Sequence, residues 1–297
     1  MVKIVNRVSV VGTVEEIDLF RRVSKASKRT FISGSLTLLV NEEHSVRVNL
    51  FQWADLTDKE TGKSVPNPRY EFLNGFIEED GETPRQEAYG TRTNIDGTIS
   101  LNVFYNRDGE EIITAQNRGA FINQPRGVDK AEFSATAYLT GYIEELEDDR
   151  ETGNIFLNGF VYDSYMKQEI PVRFLVPEGP GANYFKSSHY PLLTDVWGVL
   201  TSKKTTRVIE SAFGEAQVIE GQGDRFYRVI TGAAAVPHDI NDEGFLNFKK
   251  EAEAGLQVVR SEQLDYHRSR QQQPATPTPA AAAPASSAAP KAGSFDF

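Results

Sequence analysis

Apolar and polar positions alternate in short runs along most of this chain. Val8 to Leu19, Phe31 to Val40 and Ser45 to Trp53 alternate first; after a long polar stretch come Ile99 to Tyr105 and Glu111 to Ala115, around the turn Asn106-Arg107-Asp108-Gly109. A second series runs through Phe133 to Leu146, Ile155 to Tyr162, Ile170 to Val176, Val196 to Leu200 and Thr206 to Val218. Period-two alternation of this length predicts β-strands with one face buried. Between the third and fourth runs of the second series, Gly181 to Lys186 reads as a short helix.

The two series are related. Gly12-Thr13-Val14-Glu15-Glu16-Ile17 returns as Gly141-Tyr142-Ile143-Glu144-Glu145-Leu146, and Val46-Arg47-Val48 as Val172-Arg173-Phe174. An offset near 129 residues is too long for a solenoid repeat and fits two copies of one small domain. A glycine inside a strand pattern reads as a bulge or tight bend. Five strands, a glycine bend in a long first strand and an irregular or helical link between strands three and four make the layout of an OB-fold barrel. The expected fold is mainly β: two OB-like five-stranded barrels in tandem, then a short C-terminal helix and a disordered tail.

The boundaries follow from changes of pattern. Residues 1–130 form the first OB-like domain, 131–241 the second, 242–270 the helix and 271–297 the tail. Residues 55–97, rich in acid, Gly and Pro, do not fit a minimal barrel and read as a solvated insertion. Phe248, Ala252, Leu256 and Val259 follow a helical spacing, so a helix over about 246–267 is expected to pack on the second barrel. From Gln271 to Ser294 the chain is Gln, Pro, Ala, Ser, Thr and Gly with one charge, Lys291, a composition that cannot build a packed core. It closes on Phe295-Asp296-Phe297.

Taken as a total, a net charge of −10 over 297 residues argues against a polyanionic partner. Divided by segment, however, it is −2 for residues 1–130, −7 for 131–241 and −1 for 242–297. Arg21, Arg22, Lys25, Lys28 and Arg29 place five cations within nine residues of the first segment, with no acid among them. Zero cysteines exclude disulfides, thiolate chemistry and Cys-ligated metals. No apolar run is long enough to span a membrane and the N-terminus lacks the apolar stretch of a signal peptide, so the chain is expected to be cytoplasmic.

Alternation also assigns faces. In the third run Val46, Val48 and Leu50 point one way and Arg47, Asn49, Phe51 and Trp53 the other; in the second, Phe31 lies opposite the core positions. If these strands pair, Phe31, Arg47, Phe51 and Trp53 share a surface bordered by the basic loop. Unpaired bases stack on aromatic rings at roughly 1–3 kcal/mol each, and nearby cations neutralise phosphates. Both residue types together suit a single-stranded nucleic acid better than a duplex. In the second copy Phe156, Phe160, Tyr162 and Arg173 occupy like positions, but the loop matching the basic one is Glu147-Asp148-Asp149-Arg150-Glu151. Its cations, Lys203, Lys204 and Arg207, lie instead between the fourth and fifth strands. This copy either binds by a different edge or serves as a protein-contact or packing module.

Enzyme chemistry finds no support. His44, His189, His238 and His267 are isolated, no HExxH spacing exists, and neither a phosphate loop nor a GxSxG elbow is present. No catalytic residue, metal or cofactor is expected.

Together, Val10-Val11-Gly12-Thr13-Val14, the basic first loop, the aromatic strands and the Pro/Ala/Gln tail with its aromatic-acidic tip resemble the single-stranded DNA-binding proteins of bacteria and their phages. The resemblance implies DNA contact by Arg21, Arg22, Lys25, Lys28, Arg29, Phe31, Arg47, Phe51 and Trp53. It implies recruitment of replication, recombination and repair proteins by Phe295, Asp296 and Phe297. The family's bacterial tip is a run of acids ending in Pro-Phe, whereas this one has a single Asp between two Phe. With two OB-like copies in one chain, the sequence looks like a viral or divergent member. A structural or assembly protein using OB-like modules for protein contacts, or a single-stranded RNA binder, are the alternatives.

Overall fold

The computed structural model describes residues 2–271 apart from 43, 59, 107, 126, 148, 149 and 210–216, with side chains described except at 203–226, 270 and 271. The tail beyond 271 and its Phe295-Asp296-Phe297 tip lie outside the described residues. The first series becomes β1 (Asn6–Val23), β2 (Thr30–Asn41), β3 (His44–Trp53), a small hairpin of β4 (Asp55–Thr57) and β5 (Ser64–Pro66), helix α1 (Pro68–Asn74), β6 (Arg92–Tyr105) and β7 (Glu111–Asn123). The second becomes β8 (Lys130–Glu147), β9 (Arg150–Asp163), β10 (Gln168–Val176), α2 (Pro180–Ser187), β11 (Leu192–Ile209) and β12 (Gln217–Ala233), followed by α3 (Glu243–Gln271).

Each series closes into a ring. The order is β1-β2-β3-β7-β6 and back to β1, then β8-β9-β10-β12-β11 and back to β8. Only β3 with β7 and β10 with β12 run parallel; the other pairings in both rings are antiparallel. Closure pairs the first strand of each series with a later one, where an open sheet would otherwise leave an edge. The rings are joined by strand pairing, because β1 also runs antiparallel to β8 from Asn6↔Ala135 to Val11↔Lys130. Their core faces therefore merge into one apolar cluster, from Val10, Leu36 and Val48 to Phe133, Leu157 and Phe174. The fold is that of tandem OB-like barrels with a C-terminal helix.

Two glycines turn matching corners. The register slips between Asp96 and Gly97 on β6 and between Trp197 and Gly198 on β11. A Cβ at either glycine would lie 1.9 Å from the carbonyl oxygen of Arg118 or Val229, so no larger residue fits.

Three expectations change. The fifth strand of the second barrel is Gln217–Ala233, not Thr206 to Val218; Thr206 instead belongs to β11. Its first half, with Gly221 and Gly223, has little alternation of its own and is ordered by pairing across the hairpin, Lys203↔Arg225 through Ile209↔Gln217. The 55–97 segment is not merely solvated, since Tyr70, Leu73, Phe76, Ile77 and Ala88 join the main core while the acids between them face water. Asn67 starts α1, its Oδ1 accepting from Arg69 N at 3.1 Å and its Nδ2 donating to Trp53 O at 2.8 Å. The C-terminal helix, finally, is 29 residues long and spans both barrels. Phe245, Phe248 and Ala252 pack on Tyr162 of the second, while Arg260 forms a bidentate pair with Glu111 of the first, Nε to Oε1 and Nη2 to Oε2.

Candidate nucleic-acid interface

Residues directly opposite in an antiparallel ladder share a face. The pairings Arg22↔Phe31↔Trp53, Phe20↔Ser33↔Phe51, Asp18↔Ser35↔Asn49 and Glu16↔Thr37↔Arg47 thus lay four outward rows across β1, β2 and β3. Three rings meet on the first two rows. Phe31 stacks on Phe51 with centroids 5.2 Å apart and lies 5.4 Å from Trp53; Phe51 and Trp53 meet edge to face at 5.1 Å. All three are half-buried, so each keeps part of its ring open.

Cations surround this cluster. The tip between β1 and β2 closes through Ser24 N donating to Arg29 O and Lys28 N donating to Ser24 O, both at 2.9 Å, with Lys28 in the left-handed region at φ 58°. Lys25 and Lys28 are exposed on that tip. The Arg29 guanidinium lies 4.7 Å over the Trp53 ring and pairs with Asp55 at 3.1 Å. Hydrogen bonds from Ser64 and then Arg29 hold the Asp55 carboxyl below the usual range. Arg22 lies 5.0 Å over Phe20. Arg47, at the far end, pairs with Asp18 at 3.0 Å. Both partners of that pair are exposed, so it holds Arg47 weakly and leaves it able to exchange Asp18 for a phosphate.

Arg21 stands apart. A register slip between Val14 and Glu16 turns Ile17, Leu19 and Arg21 to the core side of β1. There Arg21 Nη1 donates to Asn74 Oδ1 at 2.8 Å, Nη2 donates to the Glu78 and Glu79 carbonyls, and its backbone N donates to Gly81 O at 2.8 Å. It fastens the inserted segment instead of facing the rings. The remaining eight residues expected from the sequence lie on the aromatic face or its hairpin tip. Phe20 and exposed Arg118, which sits beside Asn49 across the parallel β3 and β7 pairing, were missed. The Asp18-Phe20-Arg22 alternation was the available signal for the first; the second depends on strand order.

The second barrel divides its expected surface. Tyr162 is fully buried beneath α3, edge-on to Phe245 and Phe248 at 5.7 and 5.6 Å, and Phe160 packs against the same cluster. Burial pushes the nearby Glu169 carboxyl above its usual range. Phe156 stays half-open, with Arg173 5.6 Å over its ring and Tyr227 of β12 stacked 6.2 Å away. Lys203, Lys204 and Arg207 lie within β11, not in a loop, and their side chains fall outside the described residues. Among the described residues, no cluster of three or more His, Asp or Glu is placed to hold a metal, and no helix is long and apolar enough to cross a membrane.

The family model YorF matches residues 4–262. No curated protein matches the sequence. Among solved structures, the chain is similar to the wild-type single-stranded DNA binding protein from Thermus aquaticus, with a TM-score of 0.50 at 13% identity over 82% of this chain and 98% of that one. A deletion mutant of the same protein aligns with a TM-score of 0.50 at 14% identity, over 82% of this chain and all of that one. At that identity, what is shared is the fold.

Proposed function

We propose that this chain, which belongs to the YorF family, is a non-enzymatic, largely sequence-independent binder of single-stranded DNA. The observation that carries the proposal is the half-open cluster of Phe31, Phe51 and Trp53 beneath a cationic hairpin, on the outer face of a closed barrel. Rings supply stacking without base preference, and Arg22, Lys25, Lys28, Arg29 and Arg47 supply phosphate contacts. The shared fold with the Thermus aquaticus protein supports the same reading.

Each barrel acts as one domain, residues 1–130 and 131–241, and the first carries the principal site. Phe156 and Arg173 form a secondary surface. The protein coats exposed strands during replication, recombination and repair, in a phage or another divergent setting. Phe295, Asp296 and Phe297 recruit partner proteins. Fluorescence titration with oligo(dT), oligo(U) and duplex at two salt concentrations tests the proposal. Salt-sensitive binding of the DNA single strand with little duplex affinity is expected. Preference for the RNA strand would shift the assignment to RNA, and absence of binding at low salt would favour a role in protein assembly.

A further inference from the structure

The aromatic face of the first barrel does not end at its own edge. Along β3 the outward residues Trp53, Phe51, Asn49 and Arg47 form a rail of about 20 Å at the usual strand rise, which ends at the buried Ser45. At its lower end Ser45 meets the second barrel: Ser202 Oγ donates to Ser45 O at 2.8 Å, and His44 Nδ1 lies 3.0 Å from Thr201 Oγ1. Thr201 is the cross-strand partner of Tyr227, whose ring stacks on Phe156. The end of the rail strand, at His44 and Ser45, thus abuts the β11 strand whose partner carries Tyr227 of the Phe156, Arg173 and Tyr227 surface.

The next residue on β12 points the other way, into the junction. Arg228 is 6% exposed, and its Nη2 donates to Ala115 O and to Asn117 Oδ1 on β7, each at 3.3 Å. Asn117 Nδ2 in turn donates to Arg47 O at 3.3 Å. A buried guanidinium bound to the first barrel thus ties the strand carrying Tyr227 to the strand carrying Arg47. Burial pushes the pKa of Arg228 down to about 10, which still leaves it charged near neutral pH.

We propose that Arg228, through Asn117, is a positioning residue that locks the two outer faces into one continuous track, so that a single strand is held by both barrels at once. This rests on the proposed single-strand binding by the first face. Two sites joined rigidly at the right spacing gain affinity for a ligand that spans both, and none for a ligand that fills only one.

The test compares the intact chain with its Asn117→Ala and Arg228→Gln variants on oligo(dT) of about 8 nucleotides, which fits one barrel, and about 30 nucleotides, which spans two. The wild type should bind the longer strand about 100-fold more tightly than the shorter. Both variants should bind the shorter strand within about 2-fold of wild type and lose about 10-fold of the length advantage. Simple destabilisation would not change the length profile selectively. If circular dichroism shows that Arg228→Gln does not fold, the His44→Ala, Ser202→Ala double variant reads the same junction from its rim. An unchanged length advantage in folded variants would overturn the coupling alone. Failure of the wild type to bind either strand would overturn the underlying assignment and the coupling with it.

Discussion

The Arg29 guanidinium lies 4.7 Å over the Trp53 ring while its Nε holds Asp55 Oδ1 at 3.1 Å. The cation therefore braces the ring from the hairpin side and is itself braced by a carboxylate.

Replacing Trp53 by Ala should weaken single-strand binding by about 1–3 kcal/mol, the range for one base-stacking ring. Of the two tryptophans, only Trp53 lies on this face; Trp197 is on β11 of the second barrel, opposite Ser134. Trp197→Phe protein should keep the fluorescence quenching caused by DNA and Trp53→Phe protein should lose it. The reverse pattern would move the site to the second barrel.

Neighbouring arginines should behave differently. The Arg22→Ala, Lys25→Ala, Lys28→Ala triple variant should flatten the log-log salt dependence of binding by about 2, at roughly 0.7 per phosphate contact on a single strand. Arg21→Ala should leave that slope unchanged and cost about 1–3 kcal/mol of stability, because it removes the side-chain bonds to Asn74 and to the Glu78 and Glu79 carbonyls. Titrations at several salt concentrations and chemical denaturation separate the two effects.

Glu169 is buried beside Tyr162, and burial raises its folded-state pKa above the ordinary 4.5. An acid with a raised folded pKa favours the native state while protonated, so its contribution falls as pH climbs from the unfolded pKa through the folded one. Glu169→Gln should therefore raise Tm near pH 7 and change it little near pH 4. Equal shifts at both pH values would refute the assignment of this carboxyl as destabilising when ionised.

In the second barrel, Tyr162→Ala should cost about 3–5 kcal/mol by opening a cavity beneath α3. Its affinity for short strands should not change in the folded fraction. Phe156→Ala should do the opposite, leaving stability nearly intact and weakening only strands long enough to reach the second face. Thermal melts paired with titrations of short and long oligo(dT) check both.

Deleting residues 295–297 should leave DNA affinity nearly unchanged and abolish pull-down of partner proteins. Intact recruitment by the truncated chain would show that the tip is only a chain end.

Alternation in the sequence placed Phe31, Phe51, Trp53 and Arg47 on one face, and the structure brings them together as expected. Arg21, expected on the basic loop, lies instead within β1, where one slipped residue near Glu15 reverses which neighbours face inward for the rest of the strand. Local pattern also could not locate β12, whose N-terminal half is ordered only by its hairpin partner.

The sequence by itself determined the five strands of the first series, four of the second, their relation as copies, and the grouping of rings and cations in the first. Those properties follow from side-chain direction, which a strand's two-residue period sets without reference to any partner. Only the tertiary structure decided which outward faces stay open. Tyr162 and Phe51 both stand outside the core of their own barrels, yet α3 covers the first and leaves the second half-exposed. That choice depends on a helix more than 80 residues further along the chain. Ring closure, the β1 and β8 seam and the Arg228 junction are likewise contacts between distant segments.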